Sequence, residues 1–152
     1  MSESHKSAST PPGLLSPDEI RRWRGFLAWT ESVTSNVGRD LTAATELSPA
    51  DFEILVRLAE APGHAIEQRA LTEALNWSAS RISHQLARMV ARGYLTKEEV
   101  GIGRLMQIHI TPDGLQKITA SMVVHAAAVR THLLERISPA LFDELLRDHR
   151  VD

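Results

Sequence analysis

Cysteine is absent from the 152 residues, which excludes disulfides, thiolate catalysis and any cysteine-based redox sensor. No apolar run approaches the roughly 20 residues needed to cross a bilayer. The opening MSESHKSASTPPG holds no hydrophobic segment, so no secretory signal is expected and the chain is assigned to the cytoplasm. A Gly-rich phosphate loop is missing. Ser, His and Asp all occur, but no nucleophile elbow or similar motif places them. No catalytic residues, no enzymatic activity and no cofactor are therefore expected. The seven histidines contain no His-x-x-x-His pair. His125 and His132 stand two helical turns apart, so no metal site is expected.

What is present is an ordinary globular composition, 43% hydrophobic and 24% charged, enough for one domain with or without dimerisation arms. Residues 1–13 are rich in Ser, Thr and Pro without periodic apolar positions, and read as a flexible tail. The net charge of −2 argues at first against nucleic acid, but placement matters more than the total. Residues 78–104 carry Arg81, Arg88, Arg92, Lys97 and Arg104 against Glu98 and Glu99, a local +3. The remainder holds 12 cations and 17 acids, net −5. The basic charge is gathered in one segment of an acidic body.

Four of the seven prolines stand where a hydroxyl residue precedes a predicted helix: Ser16-Pro17, Ser48-Pro49, Thr111-Pro112 and Ser138-Pro139. Each pair is a helix-start signal, an N-cap side chain before a proline whose missing N–H had no intrahelical partner. They predict helices over about 17–42, with Glu19 completing a capping box, 49–61, 112–136 and 139–147. A short helix over 67–75 is predicted to bury Leu71, Ala74 and Leu75. A turn at Asn76-Trp77, with Trp77 plugging the core, then leads to a helix capped by Ser78. In that helix Ile82, Leu86, Met89 and Val90 share one face, and Ser80, Arg81, His84 and Arg88 fall opposite. Gly93 ends it, and a hairpin follows over 94–100 and 105–111. Helix, tight turn, helix and hairpin make a winged helix-turn-helix over 48–111. The flanking helices, 14–47 and 112–152, carry apolar stripes suited to a second protomer. On the last long helix that stripe is Leu115, Ile118, Met122, His125, Val129 and Leu133. The expected fold class is mainly α with a small β-hairpin wing (α+β).

The order of elements, the segment LTEALNWSASRISHQLARMVARGYL, and a wing ending in Gly103-Arg104 seven residues before the Thr of ITPDG together resemble the MarR (multiple-antibiotic-resistance regulator) family. The resemblance covers about residues 16–148. It implies a cytoplasmic homodimeric transcription factor, usually a repressor, that binds a pseudo-palindromic operator in double-stranded DNA and is released by a small molecule. Many members bind phenolic or other aromatic compounds between the DNA-binding lobe and the dimer arms, where Trp23, Phe26 and Trp29 would lie. The sequence departs from the family at Ile102, where the wing commonly has an acid, at His84, where an Arg is common, and at Arg81, where a small hydroxyl residue is frequent.

Ser80, Arg81 and His84 stand in the first half of the recognition helix, where side chains meet base edges. Arg81 has the planar fork that binds a guanine edge in bidentate fashion. Gln85 lies at the flank of this face, and Arg88, a turn further on, is placed for phosphate. Arg104 fits the minor groove or a phosphate clamp, its competing partners being Glu98 and Glu99. Lys97 is a backbone contact. Trp23, Phe26 and Trp29 also suit a core or dimer seam. The different-class alternative is a winged-helix protein–protein adaptor, in which the basic face binds an acidic partner without specific DNA recognition.

Overall fold

The computed structural model describes residues 13–101 and 105–147; the proposed tail, Ile102 and Arg104 lie outside the described residues. The elements run α1 (Pro17–Thr45), α2 (Pro49–Glu60), a 3₁₀ turn (Pro62–His64), β1 (Ala65–Glu67), α3 (Gln68–Leu75), α4 (Ala79–Ala91), β2 (Leu95–Val100), β3 (Leu105–Ile110), α5 (Pro112–Val129), a π turn (Arg130–Leu134) and α6 (Pro139–Leu145). The fold is mainly helical with one small antiparallel sheet. Each of the four pairs named above starts a helix, and Ser48, Thr111 and Ser138 each accept a backbone N–H as an N-cap.

Residues up to Ser35 and residues from Asn36 form two units, each described by itself. In the first, Ser16 and Glu19 make the expected reciprocal capping box. The hydrogen bonds from Ser16 hold the Glu19 carboxyl below its usual range. Along the same helix Trp23, Phe26 and Trp29 form a ladder with ring centroids 6.4 and 6.5 Å apart.

The second unit contains the core. Leu41, Leu47, Phe52, Ile54, Leu55, Leu58, Leu71, Leu75, Ile82, Leu86, Met89, Leu95, Ile108 and Ile118 bury one another. Apolar stripes from α2, α3, α4 and α5 thus close over the inner face of the sheet. That sheet has three strands, ordered β1-β3-β2. The hairpin pairs Leu95 with Ile110 through Val100 with Leu105. The unexpected β1 pairs Ala65–Glu67 with His109–Gln107.

The remaining corrections concern faces and ends. Val90 is exposed, at 37%, and Ala74 is exposed too. On α4 the buried stripe closes with Gln85 instead of Val90. On α5 it runs through Gly114, Ile118, Ser121 and Ala128. The α-helical part of α5 ends at Val129, where the Glu135 N–H reaches back five residues to the Arg130 carbonyl, a π-type bond. Trp77, as expected, packs half-buried against the core.

One junction fixes the wing to α5. The Thr111 N–H donates to the Tyr94 carbonyl at 3.0 Å, and its hydroxyl donates to the Gly93 carbonyl at 2.6 Å. Gly114, in the first turn of α5, lies so close that an added Cβ would sit 2.3 Å from the Tyr94 carbonyl oxygen and 2.8 Å from Ile110 Cγ1. Both neighbours are held in the fold, so no flexible side-chain end can give way. Gly114→Ala is expected to lower the unfolding free energy by about 3 kcal/mol. The thermal midpoint should fall by on the order of 10 °C. An unchanged midpoint in a calorimetric scan would show that the junction opens freely.

Candidate nucleic-acid interface

The reading helix α4 is set by its two ends. At its start Asn76 adopts the left-handed conformation (φ 51°) that ends α3. Ser78 then caps α4 by accepting the Arg81 N–H at 3.3 Å. Ile82, Leu86 and Met89 are fully buried and seat the helix on the core. That leaves Ser80, Arg81, His84 and Arg88 exposed along the other side. This is the polar face expected from the spacing, on a rigid element rather than a loop.

The members of that face differ in how they are held. The Arg81 guanidinium stacks over the Trp77 indole, 3.8 Å from the ring centroid. An aromatic plate under a planar cation restrains its tilt and leaves its edge N–H groups free. Ser80 Oγ lies 3.3 Å from Ser78 Oγ, and Ser83 Oγ lies 3.4 Å from Gln68 Nε2 on α3. His84 stands exposed. The Arg88 guanidinium donates to Gln85 Oε1. Lys97 is exposed on β2, opposite Ile108 of β3. Its neighbour Glu98 lies 3.4 Å from His109 Nε2.

One expectation is overturned. Gln85 is not a flank of the exposed face; it is buried, 5% exposed, and its amide donates to the Asp51 carboxylate on α2. Burial and an internal partner remove it from direct base contact. Arg92, one of the cations in the local +3, is paired within the protein. It pairs with Asp51 at 3.0 Å, donates to the Glu46 carbonyl at 2.9 Å, and lies over the Tyr94 ring.

The residue that sequence reasoning missed is Asp51. It is 4% exposed, yet its carboxylate accepts from the Ser48 N–H and hydroxyl, the Gln85 amide and the Arg92 guanidinium. The Ser48-Pro49-Ala50-Asp51 spacing is itself a capping-box signal, an acid at the third helical position after a serine N-cap. Its partners on α4 had no such local sign.

His125 and His132 have structural neighbours. His125 stacks on Phe52, centroids 4.6 Å apart, and His132 Nε2 lies 2.6 Å from Asp40 Oδ2. Among the described residues no group of three His, Asp or Glu side chains could hold a metal. Among them, too, no helix is long and apolar enough to cross a membrane.

Comparison with known proteins agrees with this geometry. Residues 45–101, from the end of α1 through β2, match the model of the MarR family. A search of curated protein sequences finds no match. Among solved structures the chain resembles AbsC, a MarR family transcriptional regulator from Streptomyces coelicolor. The two share 29% identity and a TM-score of 0.82, over 89% of this chain and 91% of that one. It also resembles a second MarR family regulator from the same organism, solved in complex with DNA. That pair shares 23% identity and a TM-score of 0.82, over 90% of this chain and 87% of the other. The matched segment contains the whole α2-to-β2 frame that presents Arg81, His84 and Arg88, and the likeness in fold to MarR family transcriptional regulators extends through the flanking helices.

Proposed function

We propose that this chain is a homodimeric, ligand-responsive repressor that acts in the cytoplasm by occluding a promoter at a pseudo-palindromic operator. It carries out no catalysis. The observation that carries the reading is the exposed Ser80–Arg81–His84–Arg88 face on a helix seated by fully buried apolar residues. That a relative of the same fold was solved with DNA bound supports it. Arg81 reads a base, Ser80 and His84 flank it, and Arg88 and Lys97 meet phosphate. Arg104, whose position lies outside the described residues, is assigned to the wing's groove or backbone contact.

Dimerisation is supported by apolar surface that a single copy leaves open. Leu141, Leu145 and Leu146 on α6 are 49%, 53% and 44% exposed. A two-fold pairing would set two α4 helices in successive major grooves, roughly 34 Å apart. The residues from 14 to 47 and from 112 onward are the proposed arms. The effector is aromatic in class, with Trp23, Phe26 and Trp29 its proposed contacts; the half-exposed Trp23 and Phe26 support this. Control requires that the effector bind the released and operator-bound geometries with different affinity.

Selection of duplexes from a random-sequence pool by the purified chain tests the reading. Recovery of a two-half-site consensus is expected, and recovery of none would favour the adaptor. On the selected duplex, Arg81→Ala should cost about 10- to 100-fold, the worth of one bidentate base contact, with little change on a scrambled duplex. Arg104→Ala should weaken both alike and flatten the salt dependence by about 0.9 in log–log slope; equal behaviour of the two variants would sink the assignment of Arg81. Leu141→Glu with Leu145→Glu should shift the sedimentation coefficient from dimer to monomer, and an unshifted dimer would move the interface elsewhere. Titration with a simple phenol should release the selected duplex; binding that stays constant up to millimolar phenol would argue against an aromatic effector.

A further inference from the structure

The side chain that faces phosphate on α4 is held by a chain of hydrogen bonds that begins inside the protein. Asp51 is acceptor-only as a carboxylate. Gln85 must therefore turn its amide N–H₂ toward it, which leaves Oε1 pointing the other way. That oxygen accepts from the Arg88 guanidinium. The polarity of the amide is thus set by the Asp51 charge. A reversed Gln85 would aim its carbonyl at a carboxylate and its N–H₂ at a cation, unfavourable at both ends. Asp51 itself cannot swing away, because Ser48 and Arg92 hold its other oxygen, the Ser48 N–H at 2.9 Å, the Ser48 hydroxyl at 2.8 Å and Arg92 Nη1 at 3.0 Å.

From this geometry we propose that Asp51 and Gln85 are positioning residues for DNA binding. Buried Asp51 orients buried Gln85, and Gln85 pre-orders exposed Arg88 for a phosphate before DNA arrives. The inference rests on the DNA-binding reading above and adds a role for two residues that cannot themselves touch DNA. Pre-ordering matters because a long arginine side chain loses rotamer freedom when it docks, and a side chain already restrained loses less. The guanidinium uses one N–H on Gln85 and keeps others for an acceptor. A chain of hydrogen bonds running from a negative charge to a positive one also polarises each link.

The test is a double-mutant cycle of Gln85→Met and Arg88→Ala, read as affinity for a duplex selected by the unmodified chain. Thermal midpoints serve as the folding control. Each single change is expected to weaken binding about 5- to 10-fold, the range for a charge-assisted hydrogen bond. Gln85→Met in the Arg88→Ala background should then cost less than twofold. An equal loss in both backgrounds would mean that Gln85 only supports the fold, and would overturn the proposal while leaving the DNA-binding reading intact. A chain that selects no duplex would overturn both. A second measurement does not depend on the variant folding: ¹⁵N relaxation of the Arg88 Nε–H in the unmodified, DNA-free chain. An order parameter near the rigid-backbone value of about 0.85 is expected, and one below about 0.6 would overturn the pre-ordering.

Discussion

A single buried carboxylate sets the relation of the reading helix to the rest of its lobe. Removing a charge from water costs several kcal/mol unless donors replace the lost solvent. Asp51 is surrounded by such donors, and they come from different places in the chain. Ser48 belongs to the start of its own helix, Gln85 to the middle of α4, and Arg92 to the α4 C-cap. Satisfying one charge therefore fixes two points of α4 against the first turn of α2. Arg92 extends the tie to the end of α1 through the Glu46 carbonyl. Apolar packing seats α4 on the core, but packing alone tolerates sliding and rolling. The donors around Asp51 have direction, and direction is what a helix that meets base edges requires.

This arrangement changes how the charge of the segment is read. Counted along the sequence, residues 78–104 form a basic block in an acidic protein. In space the block divides. Arg92 is matched by Asp51, which lies outside the segment in sequence and against it in the fold. Arg88 is partly engaged by Gln85, and Arg81 rests on Trp77. The two arginines on the exposed face of α4, Arg81 and Arg88, are restrained ones. A restrained cation contributes less to diffuse attraction than to a contact of fixed geometry, so the surface suits recognition in register more than loose electrostatic capture.

How much of this was legible in the sequence follows from how local each signal is. The hydroxyl–proline pairs marked the starts of α1, α2, α5 and α6 because an N-cap and the proline after it act within one turn. The faces of α4 were legible through Ile82, Leu86 and Met89, whose spacing is the helical period. Gln85 was misplaced because its type is polar and its burial depends on Asp51, 34 residues earlier. The pairing of Arg92 was not legible for the same reason, its partner being 41 residues away. β1 escaped notice because three residues carry no alternation; it exists only because Ala65–Glu67 meets the edge of β3. At Val90 apolar type predicted burial, yet the side chain is exposed.

The contacts of α5 limit what can move. Its first turn is tied to Gly93 and Tyr94, just past the end of α4, through Thr111 and the close approach of Gly114. Further along, His125 stacks on Phe52, the neighbour of Asp51. Beyond the end of α5 His132 meets Asp40 at the C-terminal part of α1. The first two attachments grip the same assembly of α2 and α4 from opposite ends. A force applied to α5 is therefore delivered to the reading helix and its Asp51 anchor together, as to one body, because packed interiors transmit displacement rather than absorb it. A displacement of α5 would therefore alter where α4 points. The hydrogen bonds that join Asp51, Gln85 and Arg88 lie within that body and do not depend on where it points.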